Sequence, residues 1–539
     1  MTAVAGLLCL TTWAFMAQLA SRHPRVLHFA PALLVLLLYG RYVHALASSV
    51  ALLTAMSFAC LYVRMPFEGT AQRLAVFLVL SAVVYYAAGG ALFVYAVLCG
   101  VFEIEPRSRC LAGALCFVAA AVVPAIVGVF VLGLRVSGVY LQLLPYSRGA
   151  KAWETAFALC LCLCVPVMAG STAVLSRLRK RGHAPAGSGE ARLVSKLGEG
   201  PGLAGLKGRA SSFALPVAAA ALVWFSFNTS AARYLRLQYL ARAQAWADIL
   251  KTVRDVPIDR HDLLTNGILN RALYHEGRLL DEMFRYPQAE RGLLPSGDEM
   301  KHAIIQSPTA LMWLSDIGLD LGRVNESEHW AQEAFEYLGP RPWVLERLAL
   351  VEIAKRREEV ASLFLRVLKG DLMYGKWAAK CLSGPGSLAA AADHRVQRLR
   401  TLMVQTDTAG WLSPETLLLQ LLESNKQNQM AFEYLMAYCL LTKQLNGVVE
   451  NIGRLKDFGY SRIPRHCEEA LLIYMAKTGK RLDLGGLSIG EPAVAEFAAF
   501  RRIVEEDKSD GTAALQAAVR QHQNTYFFYY VFVPLEETG

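Results

Sequence analysis

Through the first 230 residues, uncharged apolar runs alternate with short charged breaks. The runs cover residues 4–19, 27–40, 46–63, 74–102, 111–134, 155–175 and 212–227. Runs of this length and apolarity predict helices that cross a lipid bilayer. One of them is too long. Residues 74–102 would make a straight helix of roughly 44 Å, against a hydrocarbon core of about 30 Å. Midway along it stands YYAAGG, comprising Tyr85, Tyr86, Ala87, Ala88, Gly89 and Gly90. The run is either one tilted span or two short helices meeting at the glycines. From Ala231 onward the pattern becomes that of amphipathic helices, broken at Val256-Pro257, Gly339-Pro340, Gly384-Pro385 and between Ser461 and Pro464.

The most informative soluble stretch is LGRVNESEHWAQEAFEYLGPRPW, residues 321–343. Gly322 opens a turn. Trp330, Ala331, Ala334, Phe335 and Leu338 make an apolar stripe, and Pro340 and Pro342 end it. A small residue four positions before an aromatic, then proline, is the pattern of the second helix of a tetratricopeptide (TPR) repeat. Weaker echoes run through EGRLLDEMFRYP (276–287) and through 356–368, where Val360, Phe364 and Val367 keep the period. The tail YFFYYVFV (526–533) is β-prone and reads as a closing strand or a plug against the last helix.

Charge settles the topology that hydropathy leaves open. Residues 1–228 carry 18 Lys+Arg, six Glu and no Asp, a net of +12; residues 229–539 carry 37 basic and 39 acidic residues, a net of −2. The overall +10 therefore belongs to the apolar half and argues against nucleic acid as a partner. Eight basic residues lie between 176 and 209, which places that linker in the cytoplasm by the positive-inside rule. With 74–102 as one span, the loops, the linker included, place 11 basic residues inside and 7 outside; with a turn at the glycines they place 14 and 4. The turned version fits better, with Gly89 and Gly90 supplying the turn or close helix packing, and Tyr85 and Tyr86 an outer aromatic belt. The expected organisation is then all-α. Residues 1–175 hold about seven transmembrane helices, 176–211 a basic cytoplasmic linker and 212–228 the last span. Residues 229–539 form an extracytoplasmic TPR-like domain, periplasmic if the cell has two membranes. A span starting almost at Met1, with no basic region before it, also points to a misplaced gene start.

Candidate chemistry is sparse. Eight of the eleven cysteines lie in the apolar half; the run LCLCLC (159–164) alternates around a helix and cannot close on a metal. Cys381, Cys439 and Cys467 imply no disulfide framework. No P-loop, GxSxG, HExxH or paired CxxC occurs, and no metal or cofactor is expected. FRYPQ (284–288) reads as a helix stop with Arg285 and Tyr286 beside it. RIPRHCEEAL (462–471) sets Pro464 ahead of a helix with Glu468 and Glu469 in its first turn, and pairs His466 with them. Arg285, Tyr286, Trp330 and His466 are the candidate partner-binding residues. Glu154, with Arg148 and Lys151 as phosphate contacts, is the one acid of the apolar half expected in an outer loop.

At YYAAGG, MFRYPQAERGLLP (283–295), HWAQEAFEYL (329–338), NKQNQMAFEYLMAYCLLTKQL (425–445) and IPRHCEEALLIY (463–474), the chain resembles an uncharacterised family of polytopic membrane proteins from Bacteroidetes-type bacteria, a domain of unknown function. The resemblance covers nearly the whole chain. It implies a bacterial inner-membrane protein with a helical-repeat periplasmic half, and it implies no known activity. It also implies a further N-terminal span and an acidic, aromatic outer loop, which this chain lacks. Two functions are weighed. The first is a scaffold that gathers periplasmic or membrane proteins for envelope assembly, export or polysaccharide handling. The alternative is a membrane glycosyltransferase-like enzyme using a polyprenyl-phosphate sugar donor, which needs outward-facing carboxylates and finds only Glu154. A transporter ranks third, because the spans carry almost no charge away from their ends.

Overall fold

A computed structural model describes residues 2–18, 29–40, 46–104, 109–132, 138–144, 152–182, 221, 224–225, 227–254, 263–289, 292–294, 309–383, 394–404, 412–484, 486–506 and 511–535. Among them every regular element is a helix. The chain divides into two units, Met1–Ala232 and Arg233–Gly539.

The first unit contains α1 (Thr2–Gln18), α2 (Ala30–Gly40), α3 (Leu46–Arg64), α4 (Thr70–Ala88), α5 (Leu92–Ile104), α6 (Cys110–Val123) and α7 (Ala152–Gly182). Among the described residues, three helical stretches are long and apolar enough to cross a membrane: Ala47–Arg64, Thr70–Ile104 and Cys110–Val131. Some of their hydroxyls bond back to the helix itself. Thr54 donates to the Val50 carbonyl and Ser57 to that of Leu53, one turn back. After α6 the backbone widens into a π-helix over Pro124–Val131, where the proline ring removes an amide donor from the ladder.

Thr70–Ile104 is helical nearly throughout, yet it is not straight. Arg73 Nη1 lies 2.9 Å from Glu103 Oε1, although 30 residues of straight helix would separate them by about 45 Å. The chain doubles back at Gly89, whose φ of +54° an L side chain rarely adopts. Phe77 of α4 then stacks on Tyr95 of α5 at 5.3 Å.

The second unit continues with α8 (Thr229–Arg242), α9 (Trp246–Arg254), α10 (Leu263–His275), α11 (Leu279–Glu282), α12 (Ala310–Asp320), α13 (Val324–Leu338), α14 (Pro342–Ala354), α15 (Glu358–Leu368), α16 (Gly375–Leu382), α17 (His394–Leu402), α18 (Pro414–Ser424), α19 (Gln429–Leu441), α20 (Leu445–Asn451), α21 (Arg465–Thr478), α22 (Glu491–Glu506), α23 (Gly511–His522) and α24 (Tyr526–Phe532). Five consecutive-helix pairs share one turn. Gln244, Gly277, Gly322, Arg356 and Lys443 each have φ between +54° and +82°. In each case the helix ends two residues before that position and the next helix begins two residues after it. The following amide reaches back five residues, as Arg323 N does to Gly318 O (2.7 Å), Arg357 N to Glu352 O (2.9 Å) and Gln444 N to Cys439 O (2.8 Å). This is the six-to-one hydrogen bond that closes a helix C-terminus over a left-handed residue.

Several sequence expectations change here. The tail 526–533 is not a strand: Thr525 caps α24 by accepting the Phe528 amide (3.1 Å), and Tyr526 and Phe527 are buried. Core packing overrides the β-propensity of aromatic residues. In α13 the buried face is Val324, Ser327, Ala331 and Ala334, and Phe335 stays 38% exposed, because Val344 and Leu348 of the next helix press on the two alanines. In α15 the core takes Ala361, Leu365 and Leu368, and leaves Val360 and Val367 in water. Tyr85 is buried and does not belong to an aromatic belt; its hydroxyl donates to Val139 O (2.8 Å), whereas Tyr86 is 73% exposed.

Candidate functional site

Among the described residues charge gathers at several buried places, and Glu103 and Arg271 mark two of them. In the first unit Glu103, at the end of α5, is fully buried. Tyr62 Oη donates to its Oε1 (3.1 Å), Arg73 lies 2.9 Å away, and Arg109 approaches Oε2 at 4.0 Å. The opposite end of the same hairpin meets residues 138–144, where the Gly90 amide donates to Gln142 O (2.7 Å). A Cβ at Gly89 would stand 2.6 Å from that oxygen. The two glycines therefore serve a turn and a close backbone approach at once.

The second place lies where α10, α12 and α14 meet. Arg271, on α10, donates through Nε to Asp320 Oδ2 (2.8 Å) and through Nη1 to Asp316 Oδ2 (3.1 Å), reaching two carboxylates one turn apart on α12. Arg347 of α14 takes the other oxygen of Asp316. His275 Nε2 lies 3.2 Å from Asp320, and Trp246 stacks on the imidazole at 4.3 Å. Burial pushes the Asp320 carboxyl up, but the Arg271 guanidinium and His275 outweigh it and hold the group well below the usual carboxylate range. Two arginines balance two aspartates, so the cluster is a neutral clamp between helices.

Beside the clamp opens a cleft of about 40 Å³, lined by Arg242, Arg271, Thr309, Trp313, Asp316 and Trp343 among others. That is room for a few waters or one small side chain. Arg242 lies over the Trp343 ring at 4.8 Å and donates to Gln238 O (3.3 Å). The geometry offers a cation on an aromatic face, backed by a rigid, charge-neutral wall. Its acid, Asp316, is committed to Arg271 and Arg347, and its hydroxyl, Thr309, accepts from Gln238 Nε2 (2.7 Å).

The residues picked from the sequence scatter. Arg285 is half-exposed and pairs with Glu282 at 3.2 Å. Tyr286 is buried, and so is His466, whose Nδ1 bonds Glu469 Oε2 (3.0 Å). A fully buried imidazole cannot meet a partner at the surface, so His466 is a structural residue. Glu469 also accepts from Arg465 Nε (3.0 Å) and from the Tyr526 amide (2.6 Å). The two blocks nonetheless come together. Asp281 accepts both guanidinium nitrogens of Arg462 (3.1 and 2.9 Å) and the Arg465 amide (2.7 Å), and Phe284 packs edge-on against His466 at 4.9 Å. Trp330 is half-buried and packs instead with the α13–α14 core. Arg148 and Lys151 lie outside the described residues, as does most of the basic linker and of 212–228; Glu154 falls on α7, with its side chain outside the description.

Sequence reasoning passed over Arg271, His275, Asp316, Asp320 and Arg347. A signal was present: LLTNGILNRALYH and ALMWLSDIGLD each place two polar ionisable groups at i, i+4 on an otherwise apolar helix. Among the described residues no three His, Cys, Asp or Glu side chains converge as a metal site.

A family model matches residues 1–533, and the chain belongs to that family, described as a family of unknown function (DUF6057). No curated protein and no solved structure matches it.

Proposed function

We propose that this chain is a membrane-anchored scaffold. Its helical-hairpin unit binds segments of partner proteins on the extracytoplasmic side of a bacterial inner membrane, in envelope assembly, export or polysaccharide handling. One observation carries the reading: among the described residues five consecutive-helix pairs are joined by the same left-handed turn, with Gln244 and Gly277 33 residues apart, and Gly322 and Arg356 34 apart. That is the spacing of helical-hairpin repeats, which act by presenting surfaces to peptides. Three apolar helical stretches support the anchor. The excess of basic residues in the 176–209 linker supports an extracytoplasmic second unit.

The Arg242–Trp343 cleft is the proposed contact. A guanidinium laid on an indole suits an acidic or C-terminal carboxylate segment. The test is recovery of partners by the tagged full-length chain from crosslinked membranes, compared with an Arg242→Glu/Trp343→Ala variant. The scaffold predicts a reproducible set of envelope proteins, depleted more than tenfold, roughly the effect of one hot-spot residue, in the variant. Recovery of no protein by the wild type, or of the same set by the variant, refutes it.

A further inference from the structure

The apolar face of α15 that misses the core continues into an exposed turn. Val360, Leu363 and Val367 lie at i, i+3 and i+7 on one side of the helix and stand in water. Beyond them Leu372 is 100% and Met373 83% exposed. The turn that displays these two side chains is built rather than loose. Asp371 Oδ1 accepts the amides of Met373 (2.8 Å) and Tyr374 (2.9 Å), and Gly375 N donates to Asp371 O (2.9 Å). A Cβ on Gly375 would stand 2.8 Å from the Lys369 carbonyl oxygen, so the backbone is drawn tight beneath the tip.

The rim of this tip is basic. Arg366, Lys369, Lys376 and Lys380 are all exposed, and the single acid between them, Asp371, is spent on the turn. Residues 366–380 thus carry a net +3 within a half whose net charge is −2. An apolar tip flanked along the chain by exposed, long cationic side chains matches the layered chemistry of a bilayer surface, acyl chains below anionic headgroups. A bilayer is the one partner the chain brings with it, through its own apolar helices.

We propose that Leu372 and Met373, with the Val360/Leu363/Val367 face, insert into the headgroup layer of an anionic lipid membrane, and that Arg366, Lys369, Lys376 and Lys380 contact lipid phosphates. The membrane then acts as a docking surface for the second unit as well as an anchor for the first.

Full-length chain carrying a benzophenone amino acid at position 372, reconstituted in phosphatidylglycerol-containing vesicles and illuminated, tests this by the mass of the adduct. The same probe at Tyr86 controls for reactivity, and at Tyr337, an exposed site on α13, for specificity. A lipid adduct at 372 and not at 337 is expected. It should fall more than about tenfold in a Lys369→Glu/Lys376→Glu/Lys380→Glu variant, since each basic residue near an anionic surface contributes a factor of about five. Adducts at 372 to protein alone, whether a second copy or another partner, overturn the proposal. So does no adduct at 372 while Tyr86 reacts, or a lipid yield that the charge reversal leaves unchanged.

Discussion

Both units turn a helix back on its neighbour, and they do so under different constraints. In the first, the reversal at Gly89–Gly90 is pressed against the backbone at Gln142, so that no side chain fits. In the second, a positive φ at the turn is taken by Gln244, Arg356 and Lys443 as well as by two glycines, whereas Gly89 combines φ +54° with ψ −130°, a region only glycine enters freely. The positive φ costs an L-residue about 1 kcal/mol, which is tolerable where the side chain has room, in water for Gln244 and Arg356 and on the Val533 carbonyl (2.6 Å) for Lys443. Gly277 has open space around its missing Cβ, whereas Gly322 faces the Leu402 carbonyl. The residue at a helical turn is thus decided by what lies opposite it, and much less by the turn itself. Charge follows the same division. The first unit gathers Glu103, Arg73 and Arg109 at the hairpin end away from the glycines; the second buries its Arg271–Asp316–Asp320 clamp between helices.

The sharpest way to break this comparison is at the first hairpin. In an Arg73→Cys/Glu103→Cys chain a short bifunctional thiol reagent should join the two positions within one molecule. A straight helix would hold them about 45 Å apart and give no crosslink. Next in size, Arg271→Ala leaves Asp316 and Asp320 short of a buried partner and should cost about 3–5 kcal/mol in denaturant unfolding; a loss below 1 kcal/mol would mean the clamp is solvated. The turn series is smaller and internally controlled. Gly277→Ala should cost about 1 kcal/mol from backbone conformation alone. Gly322→Ala should cost about 1–3 kcal/mol more, because a carbonyl must also move. Equal costs would show that proximity does not matter at these turns.

The smallest effect is a pH dependence at the α13–α14 contact. Burial, and then the Glu328 carboxyl beside it, push Glu352 up to about 7, while Lys355 and Glu352 help hold Glu328 down. The folded chain therefore keeps on Glu352 a proton that the unfolded chain releases near 4.5. That contribution is complete below about pH 4.5 and is lost as pH rises through about 7. Between pH 5 and 8 the wild-type Tm should fall by about 2–3 °C more than that of Glu352→Gln. Parallel curves for the two proteins would assign the proton elsewhere.

Much of the architecture was legible beforehand. Of the seven apolar runs, three overlap helical stretches of the described residues that are long and apolar enough to cross a membrane, and one of these, 74–102, doubles back. The α13 helix was legible from its Gly and Pro boundaries. Most of its inward stripe was legible too: Ala331 and Ala334 are buried, Trp330 and Leu338 pack against them, and only Phe335 turns outward. In α15 the reading fails for Val360 and Val367, because both faces carry apolar residues and periodicity cannot say which one meets a neighbour. The charged clamp was missed because single arginines and aspartates on a helix look like solvated residues until another helix covers them.

Local sequence therefore determined what each segment is: hydropathy fixes helix length and membrane competence, and glycine, proline and charge fix where segments end. Only the tertiary structure decided what each segment faces. That Arg73 meets Glu103, that Arg271 reaches two aspartates, and that Leu372 is left in water all depend on which surfaces come together. Partners far apart in sequence leave no periodic trace in either strand of the contact, and burial is a property of the pair rather than of the residue.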